Sequence, residues 1–452
     1  MSRPERGAGA TLGYTSGARV LSIGIASTGI FTFLYLAVAS HVLGKAAYAR
    51  ISLCWAIMFV ILSVIYRPIE QLLSRTIADR RARGLRGHPL RVPAAIQFGF
   101  ACLFLAVALA LRHQIEHGMF GGSSALYWIL VVGVLAYAAS YFARGWLGGH
   151  QRFELYGGLV FLESTSRLLF ALAVAVGIGS GQGAVGLGMA VAPFVSLTVI
   201  PLAFTRIRRS VEARVPALDA AAEGPAHGQL ESAAIDLTFR GGSGFAVAVV
   251  GIMLAEQTLM NAGVLIIAAS GGGSITSGLT GFVFNVLLIV RAPLQLFQAI
   301  QTAILPHLAG LEARESGREF QHAIRITILT IAGFAGAVAV GLLAVGPPVM
   351  NALLGDKGFT YGRLGLALVG LGMGFHLVSG TLNQAALARG RSAAAAAAWL
   401  VSAAAFVAFV AAPTIANQVT RVEVGYCGAT VVLAGLLWWL YRTGNRVTGS
   451  RP

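Results

Sequence analysis

Apolar residues in this chain come in long unbroken runs rather than in alternation, so the pattern is that of helices crossing hydrocarbon and not of strands. Runs of about 20 residues, the length a helix needs to span a bilayer core, fall near residues 20–43, 51–74, 92–112, 125–144, 156–178, 184–205, 239–269, 277–305, 324–346, 364–386, 393–413 and 424–441. The pattern predicts an all-α polytopic membrane protein of about twelve transmembrane helices. Most polar intervals are short. The longest, Arg206 to Asp236, is rich in Ala, Glu, Pro and Gly and carries no helical period. It reads as a linker, which divides the chain into an N-terminal six-helix lobe (1–206), a cytoplasmic linker (207–236) and a C-terminal six-helix lobe (237–452).

The two halves share a polar signature. Arg67-Pro68-Ile69-Glu70-Gln71-Leu72 lines up with Arg291-Ala292-Pro293-Leu294-Gln295-Leu296 at an offset of 224 residues. Each half thus sets an arginine and a glutamine one helical turn apart beside a helix-kinking proline, as expected of a chain built from two related repeats. Arg291 lies near the middle of its run. A cation at bilayer depth costs from about 3 to more than 10 kcal/mol unless water or protein relieves it, so Arg291 should face protein or a wet cavity. Arg67 lies nearer the end of its span and also fits an arginine snorkelling to the interface.

Composition narrows the class. With 56% apolar and 11% charged residues, the chain falls outside the range of water-soluble folds. The net charge of +16 is no nucleic-acid signature, because the basic residues sit in short segments between spans. Alternate intervals hold 23 basic residues against 6, which places both termini in the cytoplasm by the positive-inside rule. Cys54, Cys102 and Cys427 show neither disulfide nor metal-ligand spacing. No P-loop is present, and no cofactor is implied. His113-Gln114-Ile115-Glu116-His117 matches a zinc-peptidase pattern, but it occupies a short loop without an evident third ligand. Gly181-Gln182-Gly183-Ala184-Val185-Gly186 follows no strand, and reads as a turn or a helix-packing surface.

The polar groups inside spans carry the functional signal. Glu163 and Arg167 stand four apart, on one face of the fifth helix, either as a self-neutralising pair or as part of a cavity. Glu256, Gln257 and Asn261 fall in the seventh span, with Gln257 and Asn261 one turn apart. A lone carboxylate at that depth would be protonated or paired, which makes Glu256, with Glu163, a candidate for coupling to protons. His376, Asn383 and Gln384 are weaker candidates, and Gly370 and Gly374 read as a close-packing face.

Three stretches resemble the polysaccharide and O-antigen-type flippases of the multidrug/oligosaccharidyl-lipid/polysaccharide exporter superfamily. His41-Val42-Leu43-Gly44 with Tyr48 is similar to the turn between their first two helices, although His41 and Ala49 depart from it. Arg144-Gly145-Trp146-Leu147-Gly148-Gly149-His150-Gln151-Arg152-Phe153, with Tyr156, resembles the link between their fourth and fifth helices, and Ala386 to Arg391 is its counterpart. The third is the Arg291 helix. Where relatives often carry an acid in the seventh helix, this chain has Gly263. The resemblance implies two pseudo-symmetric lobes around a central cavity that opens alternately to each side of a bacterial plasma membrane. It further implies as substrate a polyprenyl-pyrophosphate-linked glycan drawn from the membrane, with polysaccharide polymerase or synthase components as possible partners and no nucleic acid. Arginine suits such a substrate because its fixed charge and planar donors grip phosphate oxygens. Arg291, Arg67 and Arg167 are then the candidates for the pyrophosphate, and Gln71, Gln295, Gln257 and Asn261 for sugar or head group. A multidrug or cation antiporter favours an acidic cavity. A membrane glycosyltransferase favours paired carboxylates at the outer face, and a non-transporting assembly component tolerates loss of the arginines.

Overall fold

A computed structural model of the chain describes residues 24, 27–82, 90–201, 227–270, 278–291, 293–294, 317–355 and 358–448. Regular structure within them is helical throughout. The first half holds α1 (Ser27–Val42), α2 (Lys45–Ile61), α3 (Arg67–Ala82), α4 (Arg91–Ala110), α5 (Ser124–Gly149), α6 (Phe153–Ala175) and α7 (Gly181–Leu197). The second holds α8 (His227–Ser270), α9 (Gly278–Arg291), α10 (Gly317–Leu354), α11 (Arg363–Ala388), α12 (Ser392–Ala411) and α13 (Gln418–Thr448). Among the described residues, ten helical segments are long and apolar enough to cross a membrane, with α2 and α3 forming one of them. Two shorter apolar helices, α1 and α9, occupy the expected first and eighth spans. The protein is a polytopic all-α membrane protein.

Three boundaries differ from the sequence reading. Helix α8 reaches back to His227, inside the expected linker, where Gln229, Leu230, Glu231, Ala233 and Ala234 are good helix formers. Helix α10 runs on to Leu354 through Pro347 and Pro348. Between α2 and α3 the chain makes a π-helical turn, Leu62–Tyr66, immediately before Arg67-Pro68. Pro68 supplies no N–H and its ring crowds the carbonyl one turn back, so the wider turn accommodates it without ending the helix.

Glycines set how closely the helices approach. A Cβ at Gly145 would lie 2.8 Å from the Glu70 carbonyl oxygen, and one at Gly149 would lie 2.9 Å from that of Ser74. The Gly145/Gly149 face of α5 therefore lets α3 pack backbone to backbone, the route by which membrane helices gain contact where no hydrophobic force distinguishes protein from lipid. Gly370 and Gly374 do the same for α11 against Ala339, Leu342 and Ala335 of α10, as the sequence pattern leads one to expect. In the first half α5 packs on α3 and α7, and α6 on α7; in the second, α11 packs on α10 and α13, and α12 on α8 and α13. The halves meet where α2, the π-turn and α3 run along α8. Helices α4 and α10 lie at the rim and present Phe98, Leu103, Leu329 and Val340 outward, a surface suited to lipid.

One end of the bundle is latched. The Tyr48 hydroxyl donates to Asn285 Oδ1 at 2.5 Å, and the Ser40 hydroxyl donates to the Leu354 carbonyl. Both bonds join the first half to the second. Asn285 Nδ2 donates to the Tyr361 hydroxyl at 3.3 Å, and Phe282 stacks beside Tyr361 at 4.5 Å.

Candidate functional site

Helix α5 carries Tyr137, Ser140, Tyr141 and Arg144 on one stripe, the three- and four-residue spacing that puts them on a single face. That face looks onto Glu163 of α6. Arg144 Nη2 donates to Glu163 Oε2 at 2.5 Å, and the Ser140 hydroxyl donates to the same oxygen at 3.2 Å. Arg167, one turn along α6, stands 3.7 Å from Glu163 Oε1 and donates to the Tyr137 hydroxyl at 2.9 Å. All three charges are buried. Rings hold the guanidinium planes: Tyr141 lies 4.6 Å from the Arg144 Cζ, and Trp55 of α2 lies 5.2 Å from that of Arg167. Next to this group, Glu70 of α3 accepts from the Tyr156 hydroxyl at 2.5 Å. Arg67 lies within electrostatic reach of Glu70, Tyr141 and Tyr156, and of Glu256 across the lobe boundary on α8.

The second half places Arg291 differently. Its Nη2 donates to Asn261 Oδ1 at 2.6 Å and to the Met260 carbonyl at 3.0 Å, and the Phe284 ring lies 4.8 Å from its Cζ. Asn261 is buried and its Nδ2 donates in turn to Gln257 Oε1 at 3.1 Å. Every one of these partners is neutral. Among the described residues Arg291 has no carboxylate within ion-pair distance, and its Nε is buried without an acceptor. Tyr426, which hydrogen-bonds His376 Nδ1 at 3.0 Å, lies within electrostatic reach of both Arg291 and Glu256.

The structure thus joins Arg291 with Asn261 and Gln257, brings Arg67 toward Glu256, and sets Glu163 against Arg167. It does not join Gln71 to Arg67, since Gln71 is exposed on α3. Gln295 lies outside the described residues. Arg144 and Glu70 are additions. Arg144 reads as a topology arginine at the end of its span, yet it is the nearer partner of Glu163. The polar-aromatic stripe from Tyr137 to Arg144 was the signal available for it. At Gly263, a Cβ would lie 2.8 Å from Val422 Cγ1, so packing fills the place where an acid would stand.

No protein-family model matches the chain, and no curated protein sequence matches it. Solved structures do. The bent form of the Vibrio cholerae MATE transporter VcmN aligns with a TM-score of 0.61 at 14% identity, over 96% of this chain and 98% of that one. The fold is that of a MATE transporter. The eukaryotic MATE transporter AtDTX14 aligns with a TM-score of 0.63 at 12% identity, over 95% of this chain and 96% of that one. The lipid II flippase MurJ, in an inward closed conformation, aligns with a TM-score of 0.55 at 11% identity, over 95% of this chain and 87% of that one.

Proposed function

We propose that the chain is a flippase that moves a lipid-linked oligosaccharide or polysaccharide precursor from the inner to the outer leaflet by alternating access between its lobes. The observation that carries this reading is Arg291. A half-buried guanidinium with neutral partners, a buried and orphaned Nε and an aromatic ring on its flank keeps its charge available for an incoming anion. A pyrophosphate supplies that anion and accepts the fork of donors that arginine presents. Asn261 and Gln257 extend the polar surface for a sugar or a head group. The likeness in fold to a lipid II flippase supports the same reading. The cycle draws on Glu163, Glu256 or the membrane potential acting on an anionic substrate. A bacterial plasma membrane with both termini in the cytoplasm, and polymerase or synthase components as neighbours, complete the proposal.

The test is the leaflet distribution of lipid-linked glycan in cells carrying Arg291→Ala, with membrane insertion of the variant confirmed. Build-up in the inner leaflet, not rescued by Arg291→Lys, supports a guanidinium that grips pyrophosphate. An unchanged distribution sinks the flippase reading. It would then favour a MATE-type cation or drug antiporter, for which Glu423 speaks. That carboxylate is buried against Gly365 and has no hydrogen-bond or ion-pair partner among the described residues.

A further inference from the structure

In the charge cluster of the first half two guanidiniums converge on one carboxylate, and Glu70 stands within electrostatic reach of Arg144. Glu163 is one acceptor between two guanidiniums, close to Arg144 at 2.5 Å and looser to Arg167 at 3.7 Å. The Nε of both arginines is buried and unpartnered. A purely structural ion pair needs one arginine, and burying a second with donors unmet is costly. Two half-satisfied forks from adjacent helices, planes held by Tyr141, Trp55 and Phe59, make a receptor for a tetrahedral oxyanion that is at present filled by a side chain.

We propose that Glu163 is the internal stand-in for the substrate's phosphate. In the empty protein it holds Arg144 and Arg167. An incoming phosphate or pyrophosphate takes both guanidiniums, and Glu163, released from them, takes up one proton from water on the side to which the lobes are open. No covalent bond changes; a carboxylate and a hydronium become a carboxylic acid and water. On release of the anion the proton leaves and Glu163 closes on the arginines again, so the empty transporter never carries two uncompensated cations at membrane depth. This rests on the flippase reading for the identity of the anion, and it assigns a second anion contact apart from Arg291. The groups facing Glu163 are Tyr137, Ser140, Tyr141 and Arg144 of α5, Arg167 of its own helix, and Glu70 of α3, with Arg67 of α3 in reach of Glu70 and Tyr141. Tyr156 of α6, Tyr35 of α1 and Glu256 of α8 interact with that circle through Glu70, Arg167 and Arg67 respectively.

The experiment is a titration of inorganic sulfate, a tetrahedral dianion whose own charge stays fixed near neutrality, into the purified full-length protein. Calorimetry in two buffers of different ionisation enthalpy reads the protons exchanged. Wild type should bind more tightly as pH falls and take up about one proton per sulfate. Glu163→Gln removes the competitor, so binding should tighten about tenfold or more, the equivalent of one charge-assisted hydrogen bond, and lose its pH dependence. Glu163→Asp keeps a carboxylate and should keep the proton uptake, and a single cooperative melting transition above the titration temperature shows that each variant is folded. Binding that is no tighter in Glu163→Gln, or that keeps its proton uptake there, overturns the proposal. If sulfate binding is abolished by Arg291→Ala and indifferent to Glu163→Gln, the inference fails while the flippase reading stands. If no variant binds sulfate, both fail.

Discussion

The latch between Tyr48 and Asn285 offers the sharpest test of a two-lobed machine. Tyr48→Phe removes the hydroxyl but keeps the ring against Gly281, where a Cβ would lie 2.9 Å from Tyr48 Cδ1. Packing is therefore retained, and the buried Asn285 Oδ1 loses its donor. Leaving a buried polar atom unmet costs about 1–3 kcal/mol. If the bond exists only while this end is closed, opening becomes easier by that amount, about 5- to 150-fold in population. Adding Ser40→Ala removes a second bond between the halves, to the Leu354 carbonyl, and should deepen the effect. The assay is amide hydrogen exchange of the α9 segment Thr280–Asn285 and the α2 segment Lys45–Ser52 in reconstituted protein. Tyr361→Phe is the control. It takes a hydroxyl from the same cluster, but its bonds to Asn285 and the Gly355 carbonyl lie within the second half. Faster exchange in Tyr48→Phe and not in Tyr361→Phe is expected. Equal acceleration in both, or none in either, would refute a latch between lobes.

Glu163→Met should lose more stability than Arg144→Met, because the first strands two guanidiniums while the second leaves Glu163 with Arg167 and Ser140. Breaking a buried pair costs about 3–5 kcal/mol, and thermal melting in detergent orders the two. Gly149→Val forces a side chain into Ile77 and the Ser74 carbonyl of α3 and should lower stability by about 1–3 kcal/mol through overpacking. Gly158→Ala, with nothing within 4 Å of its would-be Cβ, should leave the melting temperature unchanged. Gly263→Asp should destabilise against Val422 and Phe406 without creating ion-stimulated transport, checked by melting and by transport in sodium and potassium gradients.

The helices were legible because length and hydropathy are local properties: a run of apolar residues declares a span without knowledge of its neighbours. The pairing of Gln257 with Asn261, and the small-residue face at Gly370 and Gly374, were legible for the same reason, since one-turn spacing fixes a shared face. Partners on other helices were not. Tyr48 meets Asn285 across 237 residues of chain and Ser40 meets Leu354 across 314, and nothing in either segment announces the other. The bond from Arg144 to Glu163 was not legible, because an arginine at the end of a span carries the same letter whether it faces solvent or turns inward to a carboxylate. Only the aromatic and hydroxyl residues upstream on its face separate the two cases.

The repeat signature shows how far such reading extends. Arg67 and Arg291 share a motif, yet their neighbourhoods differ in the one property that decides their use. Arg67 sits among Glu70, Glu256 and two tyrosines, and Arg144 and Arg167 sit about Glu163, so three arginines in and around the first lobe face three carboxylates. Arg291 faces an amide, a carbonyl and a ring. The two halves therefore differ in electrostatic role, the first holding its cations against internal anions and the second leaving one uncompensated among the described residues. An anionic substrate bound first at Arg291 would then reach the arginines of the other lobe only by displacing their carboxylates. That ordering ties substrate binding to the charge state of Glu163, and it predicts that Arg291→Ala abolishes binding while Glu163→Gln strengthens it.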